Sequence, residues 1–406
     1  MLKQSQCKKN ILPGLYLVIL SGFFFVASAQ DERIQYPGAL KNSYFGVNIG
    51  SINYPFSSAQ LKDGNTVGSV KVPHTAVRII LFGHQFNKNL SAQISYMRPV
   101  KWVEYRNVNN TNETHTVWMN VAGLTLLSDF YIGKKISLAA EGGLGLIMRK
   151  GFEVNNTEIV SNASYATCLL GGSLKYHLNK KWDIQLSGVW SPKNSKEKQP
   201  QTTFFAAGFN YYMRPLPQQR VEKVKAAGYY FPKQIVAAGY ATNGLGYGVN
   251  KAVSKGPVPI FWGGEVKVKR GFHLSYQRNI FHSKKVFALD WGGGLAFWQS
   301  NKDKVSFFSI SAYPIFRFTV LRSKKLDGYL EYCVAGPTYI SKVHVDGKRT
   351  GEKFTFYDMM GMGIFTGKNK NINTSIRIAH FSNGNLFPYN DGFMIPLTFS
   401  LGYVFN

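Results

Sequence analysis

Hydrophobic and polar residues alternate along many short segments of this chain. In the segment 182–190, apolar residues occupy every second position, and the positions between them include Asp183, Gln185 and Ser187. Successive side chains of a β-strand point to opposite faces, so the pattern predicts strands with one apolar and one polar face. A soluble sandwich would also alternate, but apolar outside and polar inside is typical of a transmembrane barrel.

The connections between the alternating segments are short and long in turn. Eight strands are predicted in the first half of the chain: 43–54, 75–86, 90–103, 115–132, 136–150, 165–178, 182–190 and 202–213. Short basic turns such as Gly133-Lys134-Lys135 alternate with longer polar loops. Outer-membrane barrels have short periplasmic turns and longer outer loops, so we predict an antiparallel eight-stranded barrel over 30–213.

The same arrangement recurs in the second half of the chain. Eight strands are predicted there: 234–249, 263–281, 286–298, 305–318, 327–340, 354–366, 373–382 and 393–405. The proline-containing segment 214–228 breaks the alternation and is predicted to be a linker. The sequence thus predicts an all-β chain of two tandem eight-stranded antiparallel transmembrane β-barrels, the second over 229–406. Side chains fill barrels of this size, so we expect no open channel, and we expect Glu141 and Glu331 to be interior partners of Arg or Lys.

Composition and charge add a location and a class of partner. Beyond residue 29 no apolar run approaches the roughly 20 residues of a spanning helix, which excludes a helical membrane bundle. Residues 1–29 combine basic positions with an apolar run that ends at Ala27-Ser28-Ala29, so we expect a secretory signal peptide cleaved after Ala29. The net charge of +27 favours a partner that carries phosphates. We therefore expect a chain embedded in the bacterial outer membrane, with no nucleic-acid partner.

Candidate chemistry lies near the end of the seventh strand of the second set. His380 and Ser382 are two positions apart, so they share a face about 6.6 Å apart along the strand. An imidazole at that spacing can reach the hydroxyl, and an adjacent base is what makes serine a nucleophile. Ile376 and Ile378 precede the pair on the same face. We therefore expect both residues on the lipid side of the barrel, at the outer rim.

The sequence around this pair resembles a known family. The stretch 377–384, Arg-Ile-Ala-His-Phe-Ser-Asn-Gly, followed by Asn390-Asp391-Gly392, resembles the signature of the lipid A 3-O-deacylase (PagL) family of outer-membrane barrels. Phe356-Tyr357-Asp358 and the strand around 328–335 also look similar. The resemblance covers about 230–406 and leaves out the first barrel.

The resemblance implies an ester hydrolase that acts on lipid A or lipopolysaccharide without a cofactor or metal. By its pattern Ser382 is the nucleophile, His380 is its base, and a glutamate shortly after the Asn-Asp-Gly orients the histidine. Asn383 or Asn390 would assist the oxyanion.

One position departs from the family pattern, because Met394 stands where the glutamate belongs. Two aspartates could replace it. Asp391 shares the parity of the apolar row of the last strand, and Asp358 lies on the preceding strand, where pairing across the 367–372 turn is expected to set it almost opposite Ser382. A carboxylate in such an apolar row is costly unless it is partnered. Pro396 is expected to mark an irregularity in the last strand.

Two functions follow from these residues. The first is an outer-membrane esterase that releases an acyl chain from lipid A. The second is a non-catalytic outer-membrane barrel whose degenerate site serves as a lipopolysaccharide-binding or structural surface. An acid within hydrogen-bond reach of His380 would discriminate between them. The first barrel carries no recognisable catalytic constellation, and we expect it to serve as an anchor or as a surface that binds a partner. The sequence does not predict the oligomeric state.

Overall fold

The computed structural model describes residues 32–255, 261–387 and 389–405. The predicted signal peptide, residues 1–29, lies outside the described residues. Within those ranges, no helix has both the length and the apolar character needed to cross a membrane.

The first half of the described chain is a ring of antiparallel strands. Its strands are β1 (Ser43–Asn53), β2 (Ser69–Lys71), β3 (Thr75–Gln85), β4 (Leu90–Pro99), β5 (Val103–Arg106), β6 (Thr114–Tyr131), β7 (Ile136–Lys150), β8 (Phe152–Val154), β9 (Thr157–Val160), β10 (Ala163–His177), β11 (Trp182–Ser191) and β12 (Thr202–Met213). Eight of them close the ring in the order β1, β3, β4, β6, β7, β10, β11 and β12, and β12 pairs again with β1.

The second half is a closed barrel of eight strands. Its strands are β13 (Gln234–Thr242), β14 (Val266–His282), β15 (Phe287–Ser300), β16 (Ser306–Arg322), β17 (Asp327–Ile340), β18 (His344–Val345), β19 (Lys348–Arg349), β20 (Phe354–Thr366), β21 (Ile372–Ser382) and β22 (Phe393–Phe405). The barrel omits β18 and β19, which form a separate hairpin. Within the residues that the structure describes, two α-helices accompany the strands, α1 (Gln218–Ala226) in the predicted linker and α2 (Gly248–Lys255) between β13 and β14. The predicted fold class, all-β with two eight-stranded units, is confirmed.

In both barrels the outer face of the wall is apolar and the inner face is polar, the reverse of a soluble protein. On β11, Leu186 is 58% exposed whereas Gln185 is 7% exposed. Charged residues inside are paired, with Arg78 on Glu141 (2.5 Å) in the first ring and Arg377 on Glu331 (2.5 Å) in the second. This confirms the interior roles expected for the two glutamates. A wall that is apolar outside and polar inside suits a lipid surrounding.

The outer end of the first ring is filled by an apolar cap that the sequence did not predict. The loops expected to be polar bury Phe56, Leu61 and Val108 in one hydrophobic cluster with Val160 of β9 and with Tyr54, the last residue of the first predicted strand. The predicted strand 90–103 is also interrupted, because β4 ends at Pro99 and the chain resumes pairing as β5. Apolar residues at irregular loop positions have no period, so the alternation that identified the wall could not identify this cap.

At the end of the second barrel that lies opposite its outer loops, the start of the described chain packs against the predicted linker and β14. Ile34 packs with Val221 and Val224 of α1 and with Phe281 of β14. Arg33 donates hydrogen bonds to the Phe231 carbonyl (3.3 Å) and to Asn279 Oδ1 (3.4 Å). The linker is therefore an ordered plug with a helix of its own.

The second barrel closes unevenly at its outer end. The strand β13 stops at Thr242, and beyond it β14 pairs directly with β22, with Val266 beside Phe393. The chain between β13 and β14 consequently leaves the ring. Its helix α2 lies against β22, where Asn250 Nδ2 donates to the Ile395 carbonyl (2.8 Å).

Candidate active site

The candidate pair lies on the outward face of β21. Ala379 and Phe381 belong to the hydrophobic cluster inside the barrel. Because neighbouring residues of a strand point to opposite faces, His380 and Ser382 point outward. They stand at the end of β21 that leads into the outer loop.

The histidine is covered, although the sequence placed it openly on the lipid side. His380 is 3% exposed, whereas Ile376, on the same row, is 40% exposed. The cover comes from β22, where Met394 is paired opposite His380, and from the chain after α2, where Gly263 lies beside the Met394 side chain. Both residues point outward as predicted, but the sequence did not predict the cover, which arises because α2 and Gly263 and Gly264 lie against β22. Ser382 is only partly buried.

A glycine allows the outer loop to approach the histidine. Gly392 has a φ of 53°, and a Cβ added to it would lie 2.8 Å from His380 Cε1. Such a contact is far inside van der Waals distance, and a left-handed φ is itself unfavourable for other residues. The loop can therefore pass over His380 only with glycine at position 392.

Asp358 lies beside the histidine but is bound elsewhere. It pairs opposite His380, and Phe356 is the residue opposite Ser382. The predicted register was two residues off because the hairpin closes at the Thr366–Ile372 pair. Asp358 is 5% exposed, and its Oδ1 accepts a hydrogen bond from the Ala335 backbone N–H (2.7 Å).

No acid engages the histidine in the described part of the chain. Across residues 32–255, 261–387 and 389–405, His380 forms no ion pair or hydrogen bond with a carboxylate, and its Nδ1 is buried without a partner. A hydrogen bond between His380 and Ser382 is likewise absent from these residues. Asp358 is the carboxylate in register with the imidazole, and its Oδ2 carries no hydrogen bond among them.

Asp391, considered above as a replacement for the missing glutamate, binds the backbone of Arg349. Its Oδ2 accepts a hydrogen bond from the Arg349 backbone N–H (2.8 Å), and its own N–H donates to the Arg349 carbonyl (3.2 Å). The residue therefore joins the outer loop to the β18–β19 hairpin. Among the described residues it forms no hydrogen bond or ion pair with His380.

Asn383 and Asn390 differ in how many of their side-chain amide protons are already hydrogen-bonded. Asn383 is fully buried, and its Nδ2 donates to the carbonyls of Tyr389 (2.9 Å) and Thr350 (3.5 Å), which occupies both amide protons. Asn390 Oδ1 accepts from the Asn383 backbone N–H (2.9 Å), and Asn390 Nδ2 donates to Asn385 Oδ1 (3.0 Å). Asn383 thus holds the loop, whereas Asn390 retains one amide proton for a ligand.

A complete Ser-His-Asp arrangement occurs elsewhere, inside the first ring, and the sequence analysis missed it. Ser137 Oγ is 3.0 Å from His177 Nε2, and His177 Nδ1 is 2.8 Å from Asp183 Oδ1. Ser137 has no exposed surface, so no ester can reach it. The sequence does contain a signal for this arrangement, because His177 and Asp183 both lie on the polar face of their strands, on either side of a short turn. Among the described residues, no cluster of His, Cys, Asp and Glu could hold a metal ion.

Comparison with known proteins matches this half of the chain to one family. Residues 270–402 match the family model described as lipid A 3-O-deacylase (PagL). None of the curated proteins compared with the chain matches it.

Solved structures similar to the chain are outer-membrane barrels. One is the outer membrane enzyme PagL, 20% identical, covering 43% of this chain and 99% of its own, with a TM-score of 0.29. Another is the N-terminal barrel of Pseudomonas aeruginosa OprF, 17% identical, covering 42% and 98%, with a TM-score of 0.26. A third is the attachment protein Ail of Yersinia pestis, 12% identical, covering 42% and 98%, with a TM-score of 0.29. The family match confirms the resemblance: residues 270–402 match the lipid A 3-O-deacylase (PagL) family, in a β-barrel protein of the bacterial outer membrane.

Proposed function

We propose that the second barrel hydrolyses an acyl ester of lipid A, with Ser382 as the nucleophile and His380 as the general base. The observation that carries the proposal is the outward placement of both side chains at the outer end of β21, inside the matched residues 270–402. An ester in the outer leaflet would lie beside this part of the wall.

The chemistry follows the usual course of a serine esterase. His380 takes the proton of the Ser382 hydroxyl as the oxygen attacks the ester carbonyl carbon, and the carbonyl oxygen becomes an oxyanion. Collapse of this intermediate breaks the bond to the sugar oxygen, which leaves with the proton held by His380. Water then attacks the acyl-serine with His380 again as base, and the fatty acid is released.

Two neighbours are suited to support this reaction. The free amide proton of Asn390 can donate to the oxyanion, as such donors do in other acyl-transfer enzymes. Asp358, opposite His380 and with Oδ2 unoccupied among the described residues, can orient the imidazole and stabilise its charged form. Asn383 supports them by fixing the loop that carries Asn390.

Mass spectra of lipid A from cells that express the protein test the proposal. Wild-type protein is expected to remove one acyl chain, and Ser382→Ala and His380→Asn are expected to leave lipid A intact. Ser306→Ala is the matched control, because Ser306 is exposed at the outer end of β16 and touches no part of the site. Intact lipid A with correctly folded wild-type protein would contradict the proposal.

One observation favours the second function. His380 has an unpartnered, buried Nδ1 and no acid bound to it among the described residues, as expected of a site that binds lipopolysaccharide without cleaving it. Retained lipopolysaccharide binding by a wild-type protein that leaves every lipid A unchanged would support this alternative.

A further inference from the structure

A cleft opens between the two barrels at their outer ends. Its volume is about 300 Å³, and its lining includes Trp118, Asn120 and Glu153 of the first barrel and Phe387 and Asn390 of the second. Nearby, Ser164 Oγ donates a hydrogen bond to the Leu386 carbonyl (3.3 Å), so the barrels touch at the edge of this cleft. The second barrel contributes the same outer loop that follows Ser382.

The cleft combines flat apolar surfaces with groups that bind hydroxyls. Trp118 is held rigidly by Trp102, since the two rings stack with centroids 4.8 Å apart and planes 7° apart. Phe387 and Asn390 contribute an aromatic ring and an amide from the other barrel. Sites for small polar ligands pair apolar walls with a few such polar groups. A sugar ring, which is apolar on its faces and carries hydroxyls on its edge, matches this combination.

A buried polar group in the lining lacks a partner. Asn120 is on the outward face of β6, yet it is 2% exposed, and its Oδ1 has no hydrogen bond among the described residues. Buried polar atoms are nearly always satisfied, and an unmade hydrogen bond of this kind is costly. A ligand hydroxyl in the cleft would supply the missing donor.

The cleft is coupled to the candidate active site through one residue. Asn390 lines the cleft, and its Oδ1 holds the backbone N–H of Asn383, the residue after Ser382. A molecule with its sugar in the cleft and its acyl chains against the wall of the second barrel would therefore extend past Ser382. Neither barrel forms this cleft alone.

We infer that the cleft binds a saccharide, namely the sugar headgroup of the glycolipid whose ester Ser382 attacks; this identification of the ligand rests on the proposed function. The first barrel is then a substrate-binding partner of the second. Phe387 would pack on a face of a sugar ring, and Trp118, whose own faces are covered by Trp102 and Lys150, would contact the sugar with its edge. Asn120 and Glu153 would bind hydroxyls at the edge of the sugar.

Binding measured without turnover tests this inference. The full chain carrying Ser382→Ala would be purified in detergent micelles, and its affinity for lipopolysaccharide measured by calorimetry. Adding Trp118→Ala is expected to weaken binding about tenfold, as for an aromatic anchor in a binding site. Asn120→Leu, of similar volume, is expected to weaken binding severalfold. The control Trp182→Ala removes a tryptophan from the outside of the same barrel at its other end and should leave the affinity unchanged.

Competition identifies the part of the ligand that is recognised. Free oligosaccharide released from lipopolysaccharide is expected to compete for the cleft, whereas inorganic phosphate is not. Equal affinities of the Trp118→Ala, Asn120→Leu and Trp182→Ala proteins, or competition by phosphate alone, would overturn the inference. An unchanged lipid A spectrum with sugar-dependent binding would instead refute only the hydrolysis.

Discussion

Asp358 and His380 lie directly opposite each other on β20 and β21, and the aspartate gives its Oδ1 to the Ala335 N–H. The histidine beside it has a buried Nδ1 with no hydrogen-bond partner in the part of the chain that the structure describes. The carboxylate is therefore anchored by Oδ1, while Oδ2 has no hydrogen bond within residues 32–255, 261–387 and 389–405 and can meet an imidazole that turns towards it.

Replacing Asp358 tests whether this carboxylate serves the histidine. Asp358→Asn retains an oxygen acceptor for the Ala335 N–H, so the fold should persist. Deacylation should fall by up to roughly 10⁴-fold, the effect of losing the orienting acid of a triad. Initial rates of fatty-acid release measure it. The control is Asp391→Asn, whose carboxylate binds the Arg349 N–H, and equal losses in both variants would show that Asp358 has no special role.

Restoring the acid at position 394 should raise the activity. Met394 is paired opposite His380 and is buried on the same outward face, so a glutamate there would reach the imidazole. We expect Met394→Glu to hydrolyse lipid A at least about tenfold faster, because a bound acid holds the tautomer and stabilises the imidazolium. Met394→Gln has the same shape without the charge. A similar gain in both variants would attribute the effect to packing.

The outer loop should tolerate a methyl group at one glycine and not at another. Gly392 and Gly384 both have positive φ, 53° and 62°, so alanine strains the backbone at each by about 1–3 kcal/mol. Only at Gly392 would the new Cβ collide with His380; at Gly384 its nearest neighbour is the Phe356 ring at 3.8 Å. Gly392→Ala should therefore lose far more hydrolysis than Gly384→Ala at comparable thermal stability. Equal rates would mean that His380 moves aside freely.

Breaking the Arg377–Glu331 ion pair inside the second barrel should destabilise the protein, because it leaves one buried charge unpaired. Arg377→Met leaves the Glu331 carboxylate buried without its cation, and breaking such a pair costs about 3–5 kcal/mol. Adding Glu331→Met removes the stranded charge, so the double variant should regain most of the loss. Urea unfolding in detergent, followed by tryptophan fluorescence, measures both. A double variant as unstable as the single one would contradict this account.

The sequence predicted the barrel wall well and its surroundings poorly. The observed strands β17 and β20 have the predicted bounds, 327–340 and 354–366, because a wall between lipid and a polar interior imposes a period of two. The bulge between Arg377 and Ala379, opposite Pro396, was also expected from the proline. The apolar cap around Tyr54 has no such period.

For the site, too, the sequence predicted the local geometry but not the contacts with distant segments. Parity gave the common outward face of His380 and Ser382, since it depends only on neighbouring residues. The burial of His380 arises from a distant segment, because the chain after α2 folds back onto β22. The partner of Asp358 depended on the closing pair of one hairpin, and a shift of two residues changed it from Ser382 to His380.

The plug beneath the second barrel has a consequence for biogenesis. Arg33 and Ile34 precede every strand of the described chain, yet they contact α1 and β14, and Asn279 of β14 is 246 positions from Arg33. The contacts with β14 cannot form before that strand has been made, so the first residues of the described chain reach their final places only after part of the second barrel is present. A truncated protein that ends after β12 would lack α1 and β14, and Ile34 and Tyr36 would lose the partners that bury them in the full chain.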